Sequence, residues 1–242
     1  MTPDPLRPLL DLHGVPDAVA AARDAVAEVH RHPANRRGWP ATAAEASVRA
    51  ARASAALSGG TTDIPADGNV TDPVLAGALR VAEAVGPLLA TWQRAPSQAL
   101  ARLHLLAAAD LADDAALGRP RADPGVSGRL DLLATLVAGG TAAPAPVLAA
   151  VVHGELLTLA PFGSADGVVA RAAARLTLIA TGLDPKGLVV PEVAYLRRRD
   201  RYAETSAAFA GGSADGVAAW LIFCCEAITA GSREATSIAD AV

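Results

Sequence analysis

Residues 153–171 read HGELLTLAPFGSADGVVAR. An apolar helical run leads into a tight loop, Pro161-Phe162-Gly163-Ser164-Ala165-Asp166-Gly167, and a second helix opens at about Val168. A loop that feeds a helix N-terminus gathers free backbone N–H groups and the positive end of the helix dipole, so it forms an anion site. Asp166 reads as the N-cap of that second helix. At a helix N-terminus its carboxylate is favoured in the charged form, which lowers its basicity.

Around this stretch the composition points to helices. Apolar residues are 52% of the 242-residue chain but aromatics only 3%, so the core must be built from Ala, Leu and Val. Ala and Leu are strong helix formers, and the length is enough for a sizeable core. The net charge is −4, and the densest basic run, Arg197 to Arg201, contains Asp200 and is followed by Glu204. That argues against a nucleic-acid partner. Lys186 is the only lysine. The adjacent Cys224 and Cys225 have neither disulfide nor metal-ligand spacing and read as small buried residues. The opening MTPDPLRPLLDLHG lacks the basic and long apolar regions of a signal peptide. No uninterrupted apolar run approaches about 18 residues, so no membrane span is expected and the cytoplasm is the expected location.

Taken in order, the chain gives a series of helices. Residues 1–16 are proline-rich and read as irregular. Pro16 opens a helix to about His32, with Val19, Ala22, Val26 and Val29 at helical spacing. His30 and His32 suit its C-terminus and lack a third metal ligand. Pro33 to Pro40 reads as a basic turn. Thr42 with Glu45 forms a capping-box pattern for a helix to Leu57. Asp72-Pro73 starts the next helix, which Gly86-Pro87 breaks before a short run to Arg94. Ser97 opens a helix whose His104 lies on an apolar stripe and reads as buried and hydrogen-bonded. Residues 118–128 form a turn-rich connector able to hold a β-hairpin. Helix resumes over Leu130–Val137, and Pro146 sits in the first turn of the helix to Leu159. After the loop, helix runs to Thr181 with Gly182 beyond its end. Pro191 to Phe209 and Ala214 to Thr229 complete the set, and residues 231–242 read as a flexible tail. The class is all-α.

The central stretch resembles the signature of the Fic (Fido) family, H-P-F-x-[DE]-G-N-[GK]-R-x-x-R. Arg102-Leu103-His104 with Gly118-Arg119-Pro120-Arg121, the helix carrying His153, and Tyr202 with Gly211-Gly212 and the Trp220 helix are also similar to family features. The resemblance implies a Fic-like helical bundle with one short β-hairpin flap. Residues 96–230 would form its core and residues 1–95 an N-terminal helical extension. The motif's active letters are mostly replaced. Ala160 stands where the family has its general-base histidine, while Pro161 and Phe162 are kept. Ser164 replaces the acidic magnesium ligand, and a neutral hydroxyl is a poor sole ligand for a hard cation. Ala165 and Asp166 replace Gly-Asn, which adds a Cβ and a carboxylate where phosphate would approach. Gly167 is kept, Val168 replaces the first arginine, and Arg171 keeps the second.

Family members often carry an inhibitory helix of pattern [ST]-x-x-x-E-[GN], whose glutamate pairs with the second motif arginine. Within residues 42–60, Ser54-Ala55-Ala56-Leu57-Ser58-Gly59 resembles it, with Ser58 at the glutamate position. Arg171 would then lack its usual ion-pair partner. The expectation is a catalytically degenerate Fic-fold protein, a pseudoenzyme that binds or scaffolds a protein partner or a second copy of itself. Protein adenylyltransferase activity is not expected, nor a metal or cofactor. The alternative is a divergent nucleotide-dependent transferase using ATP and magnesium, with Gly167, Arg171 and Asp166 as ligand-binding candidates. His153 is a weak substitute for the missing base and Asp166 a better one.

Overall fold

The computed structural model describes residues 3–241. Eleven α-helices make up the described chain: α1 (Val15–Arg31), α2 (Pro33–Arg37), α3 (Trp39–Leu57), α4 (Pro73–Arg94), α5 (Pro96–Ala108), α6 (Pro124–Thr135), α7 (Ala145–Leu159), α8 (Asp166–Ala180), α9 (Pro191–Arg197), α10 (Arg199–Ala210) and α11 (Ala214–Ala241). A 3-10 turn covers Arg7–Asp11 and a π-helical turn covers Leu136–Gly140. No strand occurs among the described residues.

Helix α7 is apolar on every side and is buried as such a helix must be, from Pro146 through Gly154 and again at Leu156. It pairs with α8 across the 160–165 loop. Helices α4 and α5 pack on α8, α11 packs on α7, α9 and α10, and α1 covers α11. Helix α3 lies against α4, α8 and α9, which brings its C-terminal end to the start of α8. Small residues let these helices approach closely. A Cβ on Gly154 would stand 2.7 Å from both Phe209 Cε1 and Trp220 Nε1, so only glycine fits where α7 meets this aromatic pair.

Several boundaries differ from the sequence reading. The 33–40 turn contains the short helix α2, and α3 starts at Trp39, not at Thr42. Thr42 is fully buried inside α3, and Glu45 pairs with Arg49 at 2.7 Å instead of closing a capping box. Helix α4 runs through Pro87 without a break. The Pro191–Phe209 run divides at Arg198 into α9 and α10. The 118–128 connector holds no β-hairpin: residues 109–123 are turns, and α6 begins at Pro124. Residues 231–241 are no flexible tail, since they continue α11 and bury Ala235, Ile238 and Ala239. One core cluster extends from Leu6 to Ile228, without a break at the 95–96 boundary. Helices Pro73–Arg94 and Ala214–Ala241 are long and apolar enough to cross a membrane by length and composition, contrary to the expectation from uninterrupted runs; both also bury side chains in this core.

Candidate functional site

The α7–α8 loop turns on left-handed residues. Ala160 has φ 41°, Gly163 φ 76° and Ala165 φ 52°. The glycine adopts this conformation freely, but an alanine there places Cβ too close to the carbonyl and costs about 1–2 kcal/mol. Packing and hydrogen bonds hold both alanines in place. Phe162 is buried, and its ring stacks on His104 at 4.2 Å with an interplanar angle of 5°. His104 ties two segments together. Its Nδ1 accepts from the Gly118 amide at 2.9 Å, so its proton lies on Nε2, which donates to Ser164 Oγ at 3.0 Å. Burial pushes the His104 pKa below its ordinary value. Arg121 closes the far side: its Nε donates to Ala160 O at 3.0 Å, its Nη2 to Leu159 O at 2.9 Å, and its amide to Pro161 O at 2.7 Å.

Asp166 does not cap α8. Ala165 is the N-cap residue and offers no side-chain cap. The Asp166 carboxylate turns back into the loop, where Oδ1 accepts from the Phe162 amide at 2.9 Å. Burial raises its pKa, against the amides of Phe162 and Gly163 and the charge of Arg121, which act to lower it. The expected depression by the helix dipole is therefore overturned by desolvation.

Arg171, one turn into α8, is 3% exposed. Its Nε donates to Ser54 Oγ at 2.8 Å and its Nη2 to Ser54 O at 2.9 Å and Ser58 Oγ at 2.6 Å. Its Nη1 reaches Tyr202 Oη at 3.3 Å. Gly167 makes room for this fold-back, since a Cβ there would lie 3.2 Å from both Ser58 Oγ and Arg171 Nη1. Ser54, Ser58, Gly167 and Arg171 thus meet, and Gly59 follows Ser58 in a left-handed turn with φ 87°. Ser58, compared above with the glutamate of an inhibitory helix, meets Arg171 through its hydroxyl.

The network continues inward. Tyr202 Oη lies 2.8 Å from His153 Nε2, so one hydroxyl joins the imidazole to the Arg171 guanidinium. His153 is fully buried among Tyr195, Tyr202 and Trp220. Desolvation, then the nearby Arg171 charge, holds its pKa well below the ordinary value. It does not reach the loop and cannot replace a base at position 160. Val168 is buried in the core.

Of the base candidates, the Asp166 carboxylate beside the loop is only partly buried. Ala160 has nothing to accept a proton, and the proton-accepting Nδ1 of His104 is engaged by Gly118. No group of three His, Cys, Asp or Glu suited to a metal occurs among the described residues. Cys224 and Cys225 are free and buried, and burial lifts both thiols, that of Cys225 to about 12. A groove of about 640 Å³ runs beside Phe162, Gly163 and Ser164, bounded by Ala109–Asp113 and Ala116. Another, of about 490 Å³, is lined by Leu57, Gly59, Leu157, Arg199, Tyr202, Ala203 and Ser206. The sequence reading missed the links from Tyr202 to Arg171 and His153, and from Arg121 to the loop. The only available signals were the positions of Tyr202 and the Gly-Arg-Pro-Arg connector.

No protein-family model matches the sequence, and no curated protein does. Among solved structures the chain is similar to a Fic family protein from Desulfovibrio desulfuricans G20, known from a 2.70 Å crystal structure, with a TM-score of 0.71. The match covers 92% of this chain and 74% of that one at 22% identity. The chain has the Fic fold.

Proposed function

We propose that this Fic-fold chain is a pseudoenzyme that acts by binding a protein partner and does not transfer AMP. One observation supports the reading: the retained Arg171 and the loop amide of Phe162 are both taken by the protein's own groups. The Asp166 carboxylate takes the loop amide of Phe162, and Ser54, Ser58 and Tyr202 take Arg171. A nucleotide would have to displace a carboxylate and expose a buried guanidinium before making any contact of its own. Loss of a positioned base removes a further factor of about 10²–10⁴, and loss of charge stabilisation on the transferring group removes more. The partner is a protein or a second copy of the chain, in the cytoplasm. The net charge of −4 disfavours nucleic acid.

A divergent ATP- and magnesium-dependent transferase is the second reading. It is favoured by the groove beside Gly59 and Tyr202, which adjoins the arginine that the motif retains. Calorimetric titration with ATP, with and without magnesium, separates the two. The natural protein is expected to give no heat, and the combined variant Ala160→His, Ser164→Glu, Asp166→Asn, Val168→Arg to bind. Saturable binding by the natural protein, or transfer of labelled AMP that Arg171→Ala abolishes, rejects the pseudoenzyme reading.

A further inference from the structure

A buried charge is normally matched by an opposite charge, because low-dielectric surroundings penalise an isolated one. Arg171 and Arg175 stand one turn apart on α8 and are 3% and 6% exposed. Arg175 donates two of its five N–H groups to the carbonyls of Val189 and Gly187. The four bonds of Arg171 go to two serine oxygens, a backbone carbonyl and a phenol, all neutral. A guanidinium has five N–H groups, so one hydrogen on Arg171 Nη1 has no protein acceptor among the described residues.

Glu192, in the first turn of α9, is 4% exposed and supplies the opposite deficit. Its Oε2 has no hydrogen-bond partner among the described residues. It forms an ion pair with Arg175 Nη1 at 3.9 Å, too far for a hydrogen bond, so its charge is shared between Arg175 and, across the cavities, Arg171. Two small cavities explain how donor and acceptor are joined. One, of about 30 Å³, opens between α3, α4 and α8 with Ser54 in its wall. The other, of about 20 Å³, opens between α7, α8, α9 and α11. Arg171, Arg175 and Glu192 line both. A water molecule needs about 10–15 Å³ and two to four polar partners. Each cavity meets the volume requirement, and the three charged side chains meet the other.

We propose that these cavities are internal water sites, and that through them Glu192 serves as the water-bridged counter-charge of Arg171, in place of the carboxylate that position 58 lacks. The unpaired oxygen accepts from water, the water accepts from the spare Arg171 hydrogen, and the guanidinium stays inside although Ser58 is neutral. The inference stands on the interior of the bundle and holds whether or not the loop takes a nucleotide.

Two measurements on the full chain test it. A crystal structure resolving ordered solvent is expected to place water within about 3.2 Å of Glu192 Oε2 and of Arg171 Nη1. Dry cavities, or a direct Arg171–Glu192 pair, overturn the proposal. The second is a thermal double-mutant cycle of Glu192→Gln and Ser58→Glu. Glu192→Gln removes the counter-charge at nearly constant shape and should lower Tm. Ser58→Glu supplies a new one, so it should raise Tm at least twice as much in the Glu192→Gln background as in the natural protein. Additive shifts overturn the counter-charge assignment. If Glu192→Gln fails to fold, the solvent structure of the natural protein still decides.

Discussion

Ala160 ends α7 at φ 41°, ψ 60°, a left-handed conformation that costs an alanine about 1–2 kcal/mol. Its methyl is not part of the core cluster. Ala160→Gly removes the steric cost but gives the unfolded chain more freedom, a loss of about 0.4–1 kcal/mol. The difference leaves a net stabilisation of about 0–1.6 kcal/mol, centred on about 0.8. For a domain of this size, about 2–4 °C accompanies each kcal/mol, so the central expectation is a Tm rise of about 2–3 °C. Ala165→Gly should gain less, because the Ala165 methyl packs against the core. Ala203→Gly, at an exposed position within α10, is the control of opposite sign and should lose about 1 kcal/mol. The assay is thermal unfolding followed by far-ultraviolet circular dichroism at fixed pH, with urea melts to give free energies. A lower Tm for Ala160→Gly would refute the reasoning, since it would mean that the loop is not holding alanine against its backbone preference.

Acid should weaken the fold through its buried imidazoles. His104 and His153 are held neutral with folded pKa values below the ordinary one; the unfolded chain binds the extra protons, so their contribution is complete above about pH 6.5 and is lost as pH falls toward the folded values. Tm measured from pH 7.5 to 5.5 should therefore drop, and His104→Gln should flatten the slope; a slope unchanged by that substitution counts against the His104 assignment. Gly154→Ala forces a methyl to within 2.7 Å of Phe209 and Trp220 and should cost about 1–3 kcal/mol in a urea melt; a neutral result would show that α7 can move away from the aromatic pair.

Periodicity was a sound guide where one stripe faces one neighbour. Val19, Ala22, Val26 and Val29 are all buried along α1, and the Asp72 side chain caps α4 by accepting from the Leu75 amide at 2.7 Å. It failed where tertiary burial outweighs a local signal. Pro87 sits inside α4 at a cost of about 3 kcal/mol, yet Val81, Val85, Leu88 and Trp92 form one buried stripe that spans it, so breaking the helix would expose more than the proline loses. The C-terminal segment looked too small and polar to hold a helix, but Ala235, Ile238 and Ala239 recur at the spacing of one narrow face. At the site, the letters of the 160–171 stretch were readable and their bonds were not. Arg171 meets Ser54 across 117 residues and His104 meets Ser164 across 60, pairings that only the packed helices create.

On the pseudoenzyme reading proposed above, those pairings give the residues at 58, 164, 166 and 168 a common character. Ser164 cannot hold a divalent cation alone, but it accepts the His104 proton that helps fix the loop to α5. Asp166 repels a phosphate, but its carboxylate closes the loop on the Phe162 amide. Ser58 cannot neutralise Arg171, but with Ser54 it saturates one edge of the guanidinium. Val168 contributes an apolar side chain to the core where an arginine would have to face solvent or ligand. Each residue that is poor for phosphoryl chemistry makes a contact inside the protein. A catalytic loop must leave groups free for its substrate, which costs stability; here the side chains at 164 and 166 accept hydrogen bonds from the protein itself. On the pseudoenzyme reading, reversing Ser164 or Asp166 alone should therefore cost stability before it restores any activity, whereas Ser58→Glu, which adds a counter-charge to Arg171, should not. On that reading, binding should return only when positions 164, 166 and 168 are changed together.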